Sequence, residues 1–408
     1  LKILLINHYA GSPRHGMEYR PYYLAREWVR MGHQVLILAA SHSHVRSTQA
    51  SPGSEVIDGI AYHWYETPEY SGNGLGRVKN IWSFCSQVWR DADILARDFQ
   101  PDVVIGSSTY PMDMWVARRV ARKATAKLVY EVHDLWPLSP IELSGMSKWH
   151  PFAMLCQKAE NDAYRDTDAV VSMLPKVQRH MVAHGLDLKK LTIVPNGITL
   201  DEWEGEPPPL SAELQRYFSA QQENKQGHTV VGYAGSHGLP NALDVLLDAA
   251  HLLKDEPISI VMVGSGHEKA RLAERMRAEG LANVTMFDPI PKAQIPALLA
   301  RLDIAYIGWQ RTPIYRFGIA PNKLMDYMMA ERAVLHSVEA GNDPVAEAQA
   351  GLTVPPEDPR AVAEGIRALA RLSAEERAAM GRRGRAFVMA EHTYPVLARR
   401  FIDALDGK

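Results

Sequence analysis

The sequence predicts an α/β protein made of two doubly wound, Rossmann-like domains, each a parallel sheet covered by helices. Three observations carry this. The chain opens with a strand–helix–strand unit, the same rhythm restarts near residue 230, and the apolar runs are short, with polar loops after them. The first strand is Ile3 to Asn7. A polar loop, His8 to Met17, leads into a helical stretch from Glu18 to Met31, and Gly32 stands where a left-handed C-cap is wanted before the strand Gln34 to Ala39. Val103 to Ile105 and Leu128 to Tyr130 read as further buried strands of the same sheet.

The second half repeats the pattern. Val230 to Ala234 is a strand, Gly235 to Asn241 a loop and Ala242 to Leu253 a helix. Ile258 to Val263 follows, closed by Gly264-Ser265-Gly266 before a helix beginning near His267. Ile304 to Ile307, Ala333 to Ser337 and Leu352 to Val354 complete the sheet. Pro195-Asn196-Gly197-Ile198 and the acidic, proline-rich stretch Asp201 to Pro209 have the composition of connecting loops. The expected domains are therefore residues 1–195 and 196–393, with the last helix, Tyr394 to Leu405, left to pack back on the first.

Length and charge narrow the function. A chain of 408 residues suits two cores, and a formal charge of -2 gives no reason to expect a nucleic-acid partner. Cys85 and Cys156 form neither a disulfide framework nor a metal-binding pattern, which fits a reducing, cytoplasmic setting. The apolar start from Leu1 to Ile6 is too short for a signal-peptide core and reads as a buried strand. Arg118, Arg119, Arg122, Lys123 and Lys127, close behind Met112, Met114, Trp115 and Val116, fit contact with the inner face of a membrane; the plainer reading is the solvated face of a helix.

The densest chemistry lies between Ile319 and Tyr327. Pro321 suits the start of a helix, whose free N–H groups can receive an anion, and Asn322 and Lys323 follow it. Asp326, three residues on, offers a carboxylate that could accept from two ribose hydroxyls. One helix start could thus hold the diphosphate and the ribose of a nucleotide sugar. The plain alternative is a surface Lys–Asp pair.

Taken together, His133-Asp134, Pro195-Asn196-Gly197-Ile198, Tyr233-Ala234-Gly235-Ser236, Val263-Gly264-Ser265-Gly266 and Pro321-Asn322-Lys323 with Asp326 resemble the family 4 retaining glycosyltransferases. That resemblance implies the GT-B fold, two Rossmann-like domains facing a central cleft. Asn7-His8-Tyr9-Ala10-Gly11, Gly16 to Arg20 and Gly341-Asn342-Asp343-Pro344 look most like the bacterial O-antigen, capsule and exopolysaccharide branch, which includes N-acetyl-fucosaminyl transferases. Two departures stand out. The first glutamate of the family's paired-glutamate motif falls at Gly318, and the loop Gly235 to Asn241 lacks the basic pair that often binds phosphate. Lys323, with Arg311 or Arg316, is then left to neutralise the diphosphate.

The resemblance implies that His133, Lys323 and Asp326 are catalytic. It places Gly16, Asn196, Gly235, Ser236, Gly264, Ser265, Ile290, Arg316 and Asn322 at the donor, and His8, Arg14, His15, Glu18 and Asp134 at the acceptor. Each has a plain counterpart. His133 as a lone loop histidine could be structural, Asp134 could cap the following turn, Asn196 could serve only the hinge, and Glu18 could be an ordinary first-turn carboxylate. Arg20 is expected to offer a polar contact beside them. The expected reaction transfers a sugar, N-acetylated in this branch, from a UDP-sugar to a lipid-diphosphate-linked saccharide, with no metal or other cofactor required. Two rivals remain: a UDP-sugar 2-epimerase, and a non-catalytic nucleotide-sugar-binding or scaffold protein.

Overall fold

The computed structural model describes residues 1–16, 19–70, 72, 74–223 and 228–405. It divides into two compact units, Leu1–Asn196 with Tyr394–Lys408, and Gly197–Thr393.

The first unit holds an eight-stranded sheet. Its strands are β1 (Lys2–Ile6), β2 (Gln34–Ala40), β3 (Gly53–Ile57), β4 (Ile60–Tyr65), β5 (Val103–Gly106), β6 (Lys127–Val132), β7 (Ala169–Ser172) and β8 (Leu191–Ile193), in the order β3-β4-β2-β1-β5-β6-β7-β8. All neighbours are parallel except the hairpin β3–β4. Chain direction along the sheet reverses between β1 and β5, so their carboxyl ends, at Asn7 and Ser107, flank the crevice where such sheets bind ligands. Asn7 bridges that point, its Nδ2 donating to the Ser107 carbonyl at 2.8 Å.

The second unit holds six parallel strands, β9 (Thr229–Ala234), β10 (Ile258–Val263), β11 (Val284–Phe287), β12 (Ile304–Gly308), β13 (Ala333–Ser337) and β14 (Gly351–Val354), in the order β11-β10-β9-β12-β13-β14. Its switch point lies between β9 and β12, above Gly235 and Trp309. β9, β10, β12 and β13 are buried along their whole length, which explains their unbroken apolar character.

The last helix, Tyr394–Leu405, belongs to the first unit. Trp28 donates to the Ala398 carbonyl at 3.2 Å and its ring packs edge-on against Phe401, while Tyr394 sits against Tyr23. Its buried stripe of Leu397, Phe401 and Leu405 completes the core beside helix Tyr19–Arg30.

Candidate functional site

In the second unit, glycines bring the strand-end loops together. Gly235 follows β9 with φ of 152°, and its N–H donates to the Val263 carbonyl at 2.9 Å. A Cβ on Gly264 would fall on the Gly235 carbonyl, and a Cβ on Gly235 would fall on Cε of Lys323. The two loops and the lysine therefore stack only because both positions are glycine. The side chains of Ser236 and Ser265 are exposed at the rim, and the His237 N–H donates to the Ser265 carbonyl at 2.8 Å.

Lys323 is in the first turn of helix Asn322–Met329, which begins after Pro321 and carries no side-chain cap. Tyr327 fixes the helix to the end of β9, its hydroxyl receiving the Ala234 N–H at 2.9 Å. The ammonium donates to the Tyr233 hydroxyl at 2.8 Å and to Asn241 Oδ1 at 3.0 Å, and lies 4.3 Å from the Tyr233 ring centroid. None of these partners is an anion, and burial pulls the lysine down to about 7. Next to it, His237 is fully buried with neither ring nitrogen hydrogen-bonded, and burial, then the charges of Lys269 and Lys323, lower it to about 4.

Asp326 makes no ion pair with Lys323. Half-buried and without a hydrogen-bond partner among the described residues, its carboxyl is pushed up to about 7 by burial; Lys292 opposes this and Glu202 adds to it. Asn322 is exposed at the helix start. Ile290 is half-buried against the core of the unit, and Arg316 lies exposed on the Phe317 ring. Arg311 is already paired with Glu339 at 2.9 Å. At Gly318, where the family's first glutamate would stand, φ is 103°, a backbone state that disfavours any side chain. Asn342 grips the segment just downstream, accepting from the Ile319 N–H at 2.7 Å and donating to its carbonyl at 3.1 Å.

In the first unit, His133 follows β6 and is held by a buried network that the sequence did not reveal. Its Nε2 lies 2.9 Å from Ser107 Oγ and 3.2 Å from Glu131 Oε2. Glu131, wholly buried, also receives the Ser107 hydroxyl at 2.6 Å and Arg20 Nε at 2.9 Å. Burial alone would raise Glu131, but Arg20, then His133 and Ser107, hold it at about 2. The remaining donors of Arg20 go to the Val194 and Pro195 carbonyls at 2.8 and 2.6 Å. Arg20 is thus a buried brace, correcting the expectation that it offers a contact to ligand. The only sequence signals for this were an acidic residue inside an apolar strand and a basic one inside an apolar helix face.

Other assignments divide. His8 is a correction: it is fully buried, its Nε2 donating to Asn80 Oδ1 at 2.6 Å and its Nδ1 lying 2.7 Å from the Tyr110 hydroxyl, with burial lowering it to about 3. No ring nitrogen is left for an acceptor. Asp134 caps its own turn, accepting from the Leu135 N–H at 2.9 Å and from Ser139. Arg14 and His15 line a cavity of about 350 Å³ with Gln49 and Glu55; His15 is itself buried against Trp64 and 2.9 Å from Ser12 Oγ. Gly16 has φ of 69° and leaves no room for a Cβ beside Ser47, while Glu18 lies outside the described residues. Asn196 is half-buried at the very end of the first unit's long segment.

The basic segment is also corrected. Met112, Met114 and Val116 point into the core, Arg118 pairs with Asp166, Lys123 with Asp93, and Lys127 donates to the Leu405 carbonyl. Its apolar side is therefore not a surface. Among the described residues no helix is long and apolar enough to cross a membrane, and one group, Glu160, His180 and His184, brings metal-ligating atoms within 4.8 Å. Hydrogen bonds account for that group, since Glu160 already receives Tyr164, His180 and Gln157 at 2.9, 2.8 and 2.7 Å.

Two parallel-sheet α/β units of this topology define the GT-B fold. Solved structures agree: sucrose-phosphate synthase from Thermosynechococcus elongatus superposes with a TM-score of 0.73 at 15% identity, covering 99% of this chain and 98% of that one. HepE of Anabaena, solved in complex with UDP-glucose, gives 0.65 at 15% identity, covering all of both chains. Residues 15–197 match the glycosyl transferase 4-like domain and residues 228–371 match glycosyl transferases group 1. WcaI of Escherichia coli (strain K12), provisionally assigned as a colanic acid biosynthesis glycosyl transferase, is 23% identical over 277 residues, 66% of this chain and 67% of its own. WbjE of Pseudomonas aeruginosa, provisionally a glycosyltransferase, is similar to the same degree over 67% of each. The chain is a GT-B glycosyltransferase.

Proposed function

We propose that the chain transfers a sugar, with retention of configuration, from a UDP-sugar to a lipid-diphosphate-linked saccharide in bacterial surface polysaccharide synthesis. One observation carries the donor half: Lys323 is a half-buried ammonium without an anionic partner, beside the uncapped start of a helix and glycine loops that crowd it. A diphosphate supplies the missing anion. Asp326, equally unpartnered, accepts from the ribose hydroxyls of the same nucleotide.

In this reading Lys323 and the helix N–H groups stabilise the leaving diphosphate, and a bound metal is not required for that step. The acceptor hydroxyl attacks from the face of the leaving group and its proton passes to a diphosphate oxygen. His133, aligned by Ser107 and Glu131, supplies a polar contact to the transferred sugar. The name of one relative, a colanic acid biosynthesis glycosyl transferase, supports a polysaccharide product, and resemblance at the sequence level favours an N-acetylated sugar such as N-acetyl-fucosamine.

The test is incubation with UDP-N-acetyl sugars, with and without detergent-solubilised lipid-diphosphate-linked saccharides, following UDP release and glycolipid by mass spectrometry. UDP release that depends on acceptor supports transfer. A new UDP-sugar without acceptor would mean epimerisation, and binding without turnover would mean a non-catalytic role.

A further inference from the structure

We propose that the outward side of helix Leu75–Arg90, with Leu143 and Trp149 beside it, docks on an anionic lipid bilayer, an inference that rests on the acceptor being lipid-linked.

The helix is amphipathic in two directions. Asn80, Ile81, Phe84 and Val88 face the core. Leu75, Val78, Trp82 and Trp89 recur at helical spacing on the opposite side, and Leu75 and Trp82 are 88% and 74% exposed. Large apolar side chains grouped on an outer face mark a docking surface rather than a solvated one. The flanking residues Lys79 and Arg90 are cations, and the 16-residue helix contains no acidic side chain. Just past its end, Asp93 is occupied by Lys123 and Asp91 receives the Tyr65 hydroxyl. Tryptophan amid lysine and arginine, with the ring in the acyl boundary and the charge among headgroups, is the chemistry of an anionic bilayer surface.

A cavity of about 550 Å³ ties this helix to a second exposed group. Its wall includes Leu75, Val78, Trp136, Leu143, Met146 and Phe152, so the start of the helix adjoins the turn between helices Leu138–Ser144 and Pro151–Asp166. Leu143 and Trp149 there are 58% and 71% exposed, and the Lys148 ammonium lies 5.1 Å from the Trp149 ring centroid. Asp134 forms part of the same wall. A bilayer seated on this patch would thus stand at the mouth of a cavity that reaches the residue next to His133.

Flotation of the whole chain with phosphatidylglycerol-containing vesicles, against phosphatidylcholine alone, tests this without nucleotide. The wild type should float with the anionic vesicles only. Trp82→Ser combined with Trp149→Ser should cut partitioning by about tenfold or more, and Lys79→Gln by about fivefold, with the unfolding midpoint unchanged. A wild type that stays at the bottom, or a double variant that floats like it, would overturn the proposal. So would a wild-type dimer in solution that Trp82→Ser dissolves, since a second copy would then cover the patch. Wild-type transfer to a detergent-solubilised acceptor is read separately, and its absence would count against the acceptor reading instead.

Discussion

Lys323 turns away from Asp326, three residues along the same helix, and lies instead on the ring and hydroxyl of Tyr233. Opposite charges at that spacing commonly pair on a solvated helix. Here each is half-buried without the other, so each carries a desolvation cost that the neutral partners of Lys323 and the charge of Lys292 beside Asp326 offset only in part. Residues kept in that state trade stability for binding.

Replacing Lys323 by Met should therefore stabilise the fold while removing nucleotide affinity. The lysine sits near 7 when folded and 10.5 when unfolded, so the unfolded chain binds the extra proton between those values. Its penalty is full below pH 7 and gone by 10.5. Thermal unfolding of Lys323→Met against wild type should show a gain largest near pH 6.5 and shrinking as pH rises. Each kcal/mol corresponds to roughly 2–4 °C for units of this size.

Asp326→Asn should show the opposite pH dependence. Its carboxyl is raised to about 7 from 3.8, so folding favours the protonated form, and the charged form is penalised fully only above about 7. The variant should match wild type in acid, exceed it in stability above pH 7, and lose more affinity for UDP than for inorganic diphosphate. Equal loss for both ligands would remove the ribose role.

Arg20→Ala tests the brace under His133. It leaves Glu131 charged and buried without its guanidinium partner, a change that costs about 3–5 kcal/mol in buried pairs. Glu131 stands at about 2, below its unfolded value of 4.5, so its pairing supports the fold above 4.5 and fails as pH falls toward 2. Urea unfolding at neutral pH and near pH 3 should show a smaller difference between variant and wild type in acid.

Gly235→Ala places a methyl where Lys323 Cε lies. Either the lysine or the loop must move, and a φ of 152° is one that side chains rarely adopt, so UDP affinity should fall by about tenfold or more and the unfolding midpoint should fall with it; unchanged affinity would mean that Lys323 does not act from its place over this glycine.

Much of the architecture was legible because period and punctuation agree. The strand Ile258–Val263 appears with the limits its apolar run suggests, and the helix Tyr394–Leu405 likewise. The hairpin Gly53–Ile57 with Ile60–Tyr65 escaped notice because His63 and Glu55 interrupt its apolar pattern, and Leu191–Ile193 is too short to signal itself. In the site, Lys323, Asp326 and the glycines announced themselves by motif. Asn241, Ser107 and Glu131 did not, and the motif that contains Tyr233 gave that residue no role, since these roles depend on which strand ends meet at each switch point, and strand order is not written in local sequence. His8 misled for the same reason: a histidine after the first strand looks like a loop ligand until Asn80, from a helix 72 residues on, closes over it.

The most direct test of the account is calorimetric titration of UDP into wild type and Lys323→Met at pH 8, in buffers of different ionisation enthalpy. If the diphosphate is the anion Lys323 lacks, binding to wild type takes up a proton, and both the binding and the uptake disappear in the variant. UDP binding of equal strength in the two proteins, or no binding by the wild type, would contradict it.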